Sequence, residues 1–296
     1  RDMPVRIAEI ANDFRYEAAG AVKGLERVRS MTQNDSHIFC RPDQVEAEFK
    51  GVVDLILEVY KDFNIDAKTC EFRLSLRDKF SKTNKYFDDD EMWNNAENSL
   101  RKVLNDIGIN YFEAKDEAAF YGPKLDILIH PAVGNAVALS TVQLDFLLPK
   151  RFDLKYITET GEKQTPVVIH RAILGTLDRF IAFLLEETKG ILPLWLAPIQ
   201  INVIPVVLKY HLDYASDVYN KLKALGYRVT LDQSDEKLTY KMRQSQIKKI
   251  PITLILGDKE IESKKVSYRL FGSDETQTKT IEALAKEKNE KIIKKQ

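Results

Sequence analysis

Cysteine is scarce in this chain, net charge is absent, and no apolar stretch runs long; each shortage narrows what the protein can be. Cys40 and Cys70 are the only two cysteines. They are too few and too far apart for a disulfide framework or a paired-cysteine metal knuckle, which fits a reducing compartment and makes the cytoplasm the expected location. No run approaches the roughly 18 to 20 apolar residues of a membrane-spanning helix, so no membrane partner is expected. With 45 basic and 45 acidic side chains the net charge is zero. The overall field therefore argues for no nucleic-acid partner, and any such partner has to be held by a local patch. Internal repeats and low-complexity stretches are also lacking.

What is there is enough for two domains, since 296 residues can bury two cores of ordinary size. Short strand-like runs at 5–10, 14–17, 28–40, 70–77, 124–130, 141–147 and 166–171 are interrupted by a few long helices, which predicts a mostly antiparallel α+β domain over residues 1–196. One helix follows "RPDQ", with Val45, Phe49, Val52, Val53, Ile56 and Tyr60 on one face. A second begins at "DDDEMW", its acidic residues at the positive end and Trp93, Ala96, Leu100, Val103 and Leu104 as its apolar stripe. "KGILPLWLAPIQ" reads as a hinge. Beyond it, "INVIPVV", a helix ending at Gly226, and "YRVTL" form a βαβ unit. A basic helix at 237–249 and the strands "ITLILG" and "KVSYRLF" complete a smaller α/β domain over 197–296, and the tail "ALAKEKNEKIIKKQ" is expected to be a frayed, solvated helix.

Polar residues in steps of two are the first chemical signal. On a strand, residues of equal parity share a face, so Arg29, Met31, Gln33, Asp35 and His37 are expected together, with Ile38 and Cys40 turned away. Arg15 and Glu17 pair on the preceding strand. The split recurs in "STVQLDF", with Thr141, Gln143 and Asp145 on one face, and in "KLDILI", with Lys124 and Asp126. Any sheet with one side in water alternates in this way. The residue types here, however, are Arg, Gln, Asp and His, which offer directed hydrogen bonds, bidentate contact with phosphate and metal ligation. That face reads as the floor of a pocket for a phosphorylated, zwitterionic ligand.

Residues 14–40, with Phe14-Arg15-x-Glu17, a loop and then Arg27, resemble motif 2 of the class II aminoacyl-tRNA synthetases. "HRAILGTLDRF" at 170–180 resembles motif 3. "TQNDSHIFC", "AAFYGPKLD" and "STVQLDF" are similar to threonyl-tRNA synthetases in particular, as are "LPLWLAPIQ" and "GDKE", so the resemblance covers essentially the whole chain. It implies an antiparallel class II catalytic domain followed by an anticodon-binding domain with a mixed five-stranded sheet. It implies joining of threonine to ATP as an adenylate, transfer to the 3′ end of tRNA(Thr), and a homodimer in the full-length enzyme.

Residue by residue, the resemblance implies that Arg15 addresses the α-phosphate of ATP, Arg179 the adenine and γ-phosphate, Glu17 the adenine end and Arg27 the terminal phosphates, with Mg²⁺ bridging phosphate oxygens. Gln33, Asp35, Tyr121, Lys124 and Gln143 would line the threonine seat. His37 and His170 match two ligands of a zinc ion, whose third ligand, a cysteine, would lie upstream of residue 1 together with motif 1; the chain then corresponds to the C-terminal part of a longer synthetase. Ligation of the substrate hydroxyl would reject valine, which an apolar pocket separates only about a hundredfold, whereas serine would need editing elsewhere. Asp235, Lys249, Glu260 and Arg269 match positions that read anticodon bases, on a basic surface formed by Lys237, Lys241, Arg243, Lys248 and Lys249. Lys249 stands where Arg is frequent. A catalytically inactive RNA-binding module derived from a synthetase, or a threonine sensor, would be the alternatives.

Overall fold

The computed structural model describes residues 2–82, 85–131 and 136–295. Two compact units emerge, Arg1–Glu187 and Thr188–Gln296. Among the described residues no helix is long and apolar enough to cross a membrane.

The first unit is built on a seven-stranded sheet. Its strands are β1 (Val5–Phe14), β2 (Ser30–Cys40), β3 (Glu71–Leu76), β4 (Tyr111–Lys115), β5 (Lys124–Ile129), β6 (Val137–Asp145) and, after a small hairpin of β7 (Tyr156–Ile157) and β8 (Lys163–Gln164), β9 (Val167–Ala172). The order is β1-β2-β9-β6-β5-β3-β4. All neighbours are antiparallel except β3 and β4. Period-2 alternation gives the central strands an apolar face, with Ile38, Cys40, Leu74, Leu144 and Ile169 fully or almost fully buried. Helix α1 (Val45–Asp62) lies against that face with all six of its stripe residues buried, beside α2 (Asp90–Asp106), whose first turn is capped by Asp89 accepting from the Met92 amide at 3.0 Å. Tyr60 of α1 reaches through to the Ser140 hydroxyl at 2.7 Å, which satisfies both groups in the core. The short α3 (Leu148–Arg151) precedes the β7–β8 hairpin, and α4 (Leu177–Glu187) follows β9.

Three expectations for this unit change. Residues 14–17 are not a strand: β1 runs to Phe14, and Arg15 extends the ladder by one bond, its amide to the Arg29 carbonyl at 2.8 Å, before the chain turns. Arg15 and Glu17 are therefore held by a loop. Strand β4 was not foreseen, because "YFEAK" sits at the sheet edge with no buried residue and lacks clean alternation. The strand expected at 141–147 begins at Val137 and ends at Asp145, where Asp145 turns back to accept from the amides of Leu147 and Leu148.

In the second unit, β10 (Ile201–Pro205), α5 (Leu208–Ala224) and β11 (Val229–Leu231) form the βαβ unit. Then come α6 (Leu238–Ile247), β12 (Ile252–Leu256), α7 (Asp258–Ser263), β13 (Val266–Leu270), β14 (Gln277–Lys279) and α8 (Ile281–Ile293). The mixed sheet runs β11-β10-β12-β13-β14. Residues 188–196 belong with this unit: Leu194 is part of its core, and its carbonyl accepts from Gln200 at 2.9 Å. The tail is not a solvated helix. Thr280 caps α8, Ile281, Leu284 and Ala285 are buried, and the Tyr227 hydroxyl donates to Ala285 and Asn289. Three apolar residues at helical spacing, few among so many charges, were enough to dock it.

Candidate functional site

The polar face of the seven-stranded sheet collects most of the candidate residues, and strand register explains how. In β2 and β9, His37 and His170 are direct cross-strand partners, with ring centroids 4.6 Å apart and edge-on. Gln143 of β6 is the next partner of His170, and Lys124 of β5 the partner of Gln143. On the outer side Glu9 of β1 faces Asp35. A row across five strands thus presents Glu9, Asp35, the two imidazoles, Gln143 and Lys124 on one face.

Buried carboxylates organise the row. Asp145 is 1% exposed and accepts from His170 Nε2 at 2.9 Å as well as from two backbone amides. An ionised carboxylate has no proton to give, so Nε2 is the donor, and in the neutral imidazole Nδ1 keeps its lone pair. Asp126 gathers Lys124 at 2.7 Å, Arg73 and Ser75 at 2.9 Å, and Thr141 at 3.2 Å. Burial works against its charge, but these partners prevail and hold its pKa below the usual carboxylate value. The Tyr121 hydroxyl donates to Gln143 Oε1 and, pushed by burial up to about 12, stays protonated at neutral pH. Gln33 Oε1 is buried and has no partner among the described residues.

At the β1–β2 loop the face becomes a cavity of about 210 Å³ lined by Arg15, Glu17, Arg27, Gln33, Thr141 and Arg179, among others. Glu17 pairs with Arg27 at 3.0 Å, and the Glu17 carbonyl accepts from Arg29. Arg179 donates to the Glu26 carbonyl at 2.9 Å. Its pKa is lowered, first by burial and then by the facing charges of Arg15 and Arg27. Three guanidiniums around one cavity repel one another, and an anion relieves that repulsion. The turn into α4 places Arg179: the Asn34 amide bonds the Gly175 carbonyl, the Asn34 side chain accepts from Ile173, and Asp178 accepts from the Thr32 amide at 3.0 Å. A larger depression of about 680 Å³, beside Met3, Arg41 and Tyr156, gathers no comparable set of groups.

Residues 1–188 match the family described as tRNA synthetase class II core domain (G, H, P, S and T), and residues 200–291 match the anticodon binding domain. A threonine--tRNA ligase of Geobacillus kaustophilus (strain HTA426) is 55% identical over 94% of this chain and 42% of its own length; one of Staphylococcus aureus (strain JH9) is 54% identical over 94% and 43%. The chain spans less than half the length of these ligases. The crystal structure of the RNA binding domain of threonyl-tRNA synthetase from Cryptosporidium parvum Iowa II superposes with a TM-score of 0.89 at 34% identity, over 97% of this chain and 70% of that one. The chain belongs to the threonyl-tRNA synthetase family.

For a member of this family a zinc ion is implied, and the two histidines can be tested against it. Nδ1 of His170 is available, and Asp145 on the opposite nitrogen is the kind of outer partner that orients a metal-bound imidazole. Imidazole nitrogens suit Zn²⁺, which takes at least three protein ligands, so these two would be part of a donor set. No cysteine among the described residues joins it: Cys40 lies on the opposite face, fully buried with its thiol pushed up to about 12, and Cys70 donates to the Asp66 carbonyl beside β3, its thiol at about 11. Among the described residues, the three groups whose ligand atoms lie within 4.8 Å of one another are Glu9, Asp35 and His37. Glu9 was missed in the sequence; its register opposite Asp35 is what puts it on the same face. Asp126, Thr141 and Asp145 carried the right parity but were assigned no role. His130 pairs with Glu71, and His211, which accepts from the Val207 amide, bonds Asp258; neither enters the site.

In the second unit, Ser267 and Arg269 share a face of β13. Both Glu260 oxygens are engaged, by the Gly257 amide at 2.9 Å and the Ser267 hydroxyl at 2.6 Å, while Arg269 Nε donates to Thr276. Lys249, in left-handed backbone, donates to the Lys189 carbonyl, and Asp235 is exposed between β11 and α6. Lys241 drops out of the basic surface. It is 1% exposed, with its ammonium 3.5 Å from the Pro205 carbonyl. The helical period that exposes Lys237, Arg243 and Lys248 turns Lys241 and Ser245 inward.

Proposed function

We propose that this chain carries the catalytic core and anticodon-binding part of a threonine–tRNA ligase that works in the cytoplasm, as a homodimer in the full-length enzyme. A threonine carboxylate oxygen attacks the α-phosphorus of ATP, the bond to diphosphate breaks, and threonyl-adenylate forms. A ribose hydroxyl at the 3′ end of tRNA(Thr) then attacks the carbonyl carbon and AMP departs. The reaction brings an anionic nucleophile to an anionic centre, so catalysis consists mainly of positioning and charge neutralisation.

The observation that carries this reading is the three-guanidinium cavity lying on the same sheet face as the paired imidazoles. Arg15 neutralises the α-phosphate, Arg27 the terminal phosphates with Mg²⁺, Arg179 lies against the adenine and γ-phosphate, and Glu17 addresses the adenine end. Threonine sits over Gln33, Asp35, Tyr121, Lys124 and Gln143. The buried, unpartnered Gln33 oxygen supports an ammonium donor there, because such an atom costs about 1–3 kcal/mol when unsatisfied. His37 and His170 would hold the zinc ion, which supplies direct ligation of the threonine amino and hydroxyl groups. Glu260, Arg269, Lys249 and Asp235 face the anticodon, with Lys237, Arg243 and Lys248 on the tRNA backbone.

Threonine-dependent exchange of diphosphate into ATP by the full-length protein tests the assignment. Arg15→Ala and His170→Ala should each lower exchange by about 10²-fold or more, the scale of losing one preorganised charge contact. Full activity in both variants would defeat it.

A further inference from the structure

Asp126 lies on the polar face and lines the floor of the guanidinium cavity, almost wholly covered by its own partners. It is 3% exposed, and its two oxygens serve four donors, Lys124, Arg73, Ser75 and Thr141. These donors lie on three strands, β5, β3 and β6, so the carboxylate ties the seat together across the sheet.

The polarity of the hydrogen bonds follows from its charge. Being ionised, Asp126 can only accept, so the Thr141 hydroxyl must spend its single proton on Oδ1, at 3.2 Å. The Thr141 oxygen is then left as an acceptor, and Gln143 Nε2 donates to it at 3.2 Å. At the other end of the same amide, the Tyr121 hydroxyl donates to Oε1. Reversing the Gln143 amide would set its oxygen against the protonless lone pairs of Thr141, whereas the Tyr121 hydroxyl can donate or accept and tolerates either orientation. The Thr141 end therefore decides it.

We propose that Asp126 is a positioning residue of the amino-acid seat, clamping the Lys124 ammonium directly and fixing the orientation of the Gln143 amide through the Thr141 hydroxyl. The inference rests on the threonine-seat reading above. It assigns to an almost fully covered carboxylate the control of Lys124 and Gln143, the two groups of the seat that reach further out.

The test is diphosphate exchange by the full-length enzyme with threonine and ATP varied separately, in Asp126→Asn, Asp126→Glu, Thr141→Val and the Asp126→Asn/Thr141→Val pair. Asp126→Asn and Thr141→Val should each raise the threonine KM about tenfold, and by several-fold more than they raise the ATP KM, because Lys124 and Gln143 belong to the amino-acid seat even though Asp126 and Thr141 also line the guanidinium cavity. The double variant should be about as impaired as Asp126→Asn alone, since both changes cut one relay. Asp126→Glu should recover most of the loss. Equal effects on both substrates, additive effects in the double variant, or a lowered melting temperature with unchanged threonine KM would overturn the proposal and leave Asp126 a purely structural anchor. Should Asp126→Asn fail to fold, Thr141→Val decides, and an unchanged threonine KM there overturns it. If the wild type exchanges with a different amino acid instead, the functional reading fails on its own, and the relay is judged by the KM of that amino acid.

Discussion

The Lys241 ammonium lies beneath α6 with the Pro205 carbonyl at 3.5 Å and the Asp232 carboxylate only at 4.0 Å, and almost none of the side chain meets water. A buried cation so loosely paired recovers little of its desolvation cost. Lys241→Met, which keeps the volume and removes the charge, should leave stability within about 1 kcal/mol of wild type or raise it, whereas Lys241→Ala should cost about 2–4 kcal/mol through the cavity it opens. Urea midpoints of the second unit's transition check both, and a large loss in Lys241→Met would mean that the ammonium has a stronger partner. The same residue illustrates a limit of sequence reading. Charge type and helical period are visible in a string, but which side of a helix meets the core depends on where the sheet lies. Asp126 and Asp145 were hidden for a related reason: their parity was legible, whereas their partners Arg73, Ser75 and His170 come from other strands and are fixed only by register.

At the scale of elements, the turn from β9 into α4 is a tight constraint on the site. Gly175 has φ +61°, and a Cβ there would stand 2.5 Å from the Leu139 carbonyl oxygen, a backbone atom that cannot swing aside. Gly175→Ala should therefore destabilise the first unit by about 2 kcal/mol or more. It should also displace α4, with Arg179 on it, so exchange activity should fall further than Arg179→Ala alone would explain; activity and melting temperature close to wild type would show that the turn relaxes. Strand β2 was readable from its directed polar residues in steps of two, and helices α1 and α2 because one face of each is apolar at the helical period. Strand β4 and the short β14 were not, since edge strands carry little burial to imprint a pattern. The extent of β1 was misjudged for the same reason: nearly all of its residues are exposed, so alternation along it is weak.

For the whole molecule, each unit owns a core. The second unit's core runs from Leu194 through Val203, Val218 and Leu254 to Leu284, so residues 188–296 should fold alone with a cooperative thermal transition. Starting at 197 instead removes Leu194 from that core and the acceptor of Gln200, which should cost about 1–3 kcal/mol. Equal stability of the two fragments by chemical denaturation would place the 188–196 segment outside the folding unit. By itself the sequence determined the family, the division into an antiparallel and an α/β part, and the parity of the polar face, because motifs and periodicity are local properties carried by neighbouring residues. Only the tertiary structure decided that His37 stands opposite His170, that Asp126 binds donors from three strands, and that the charged tail packs as a helix. Those depend on strand register and burial, free energies that exist only once distant segments meet.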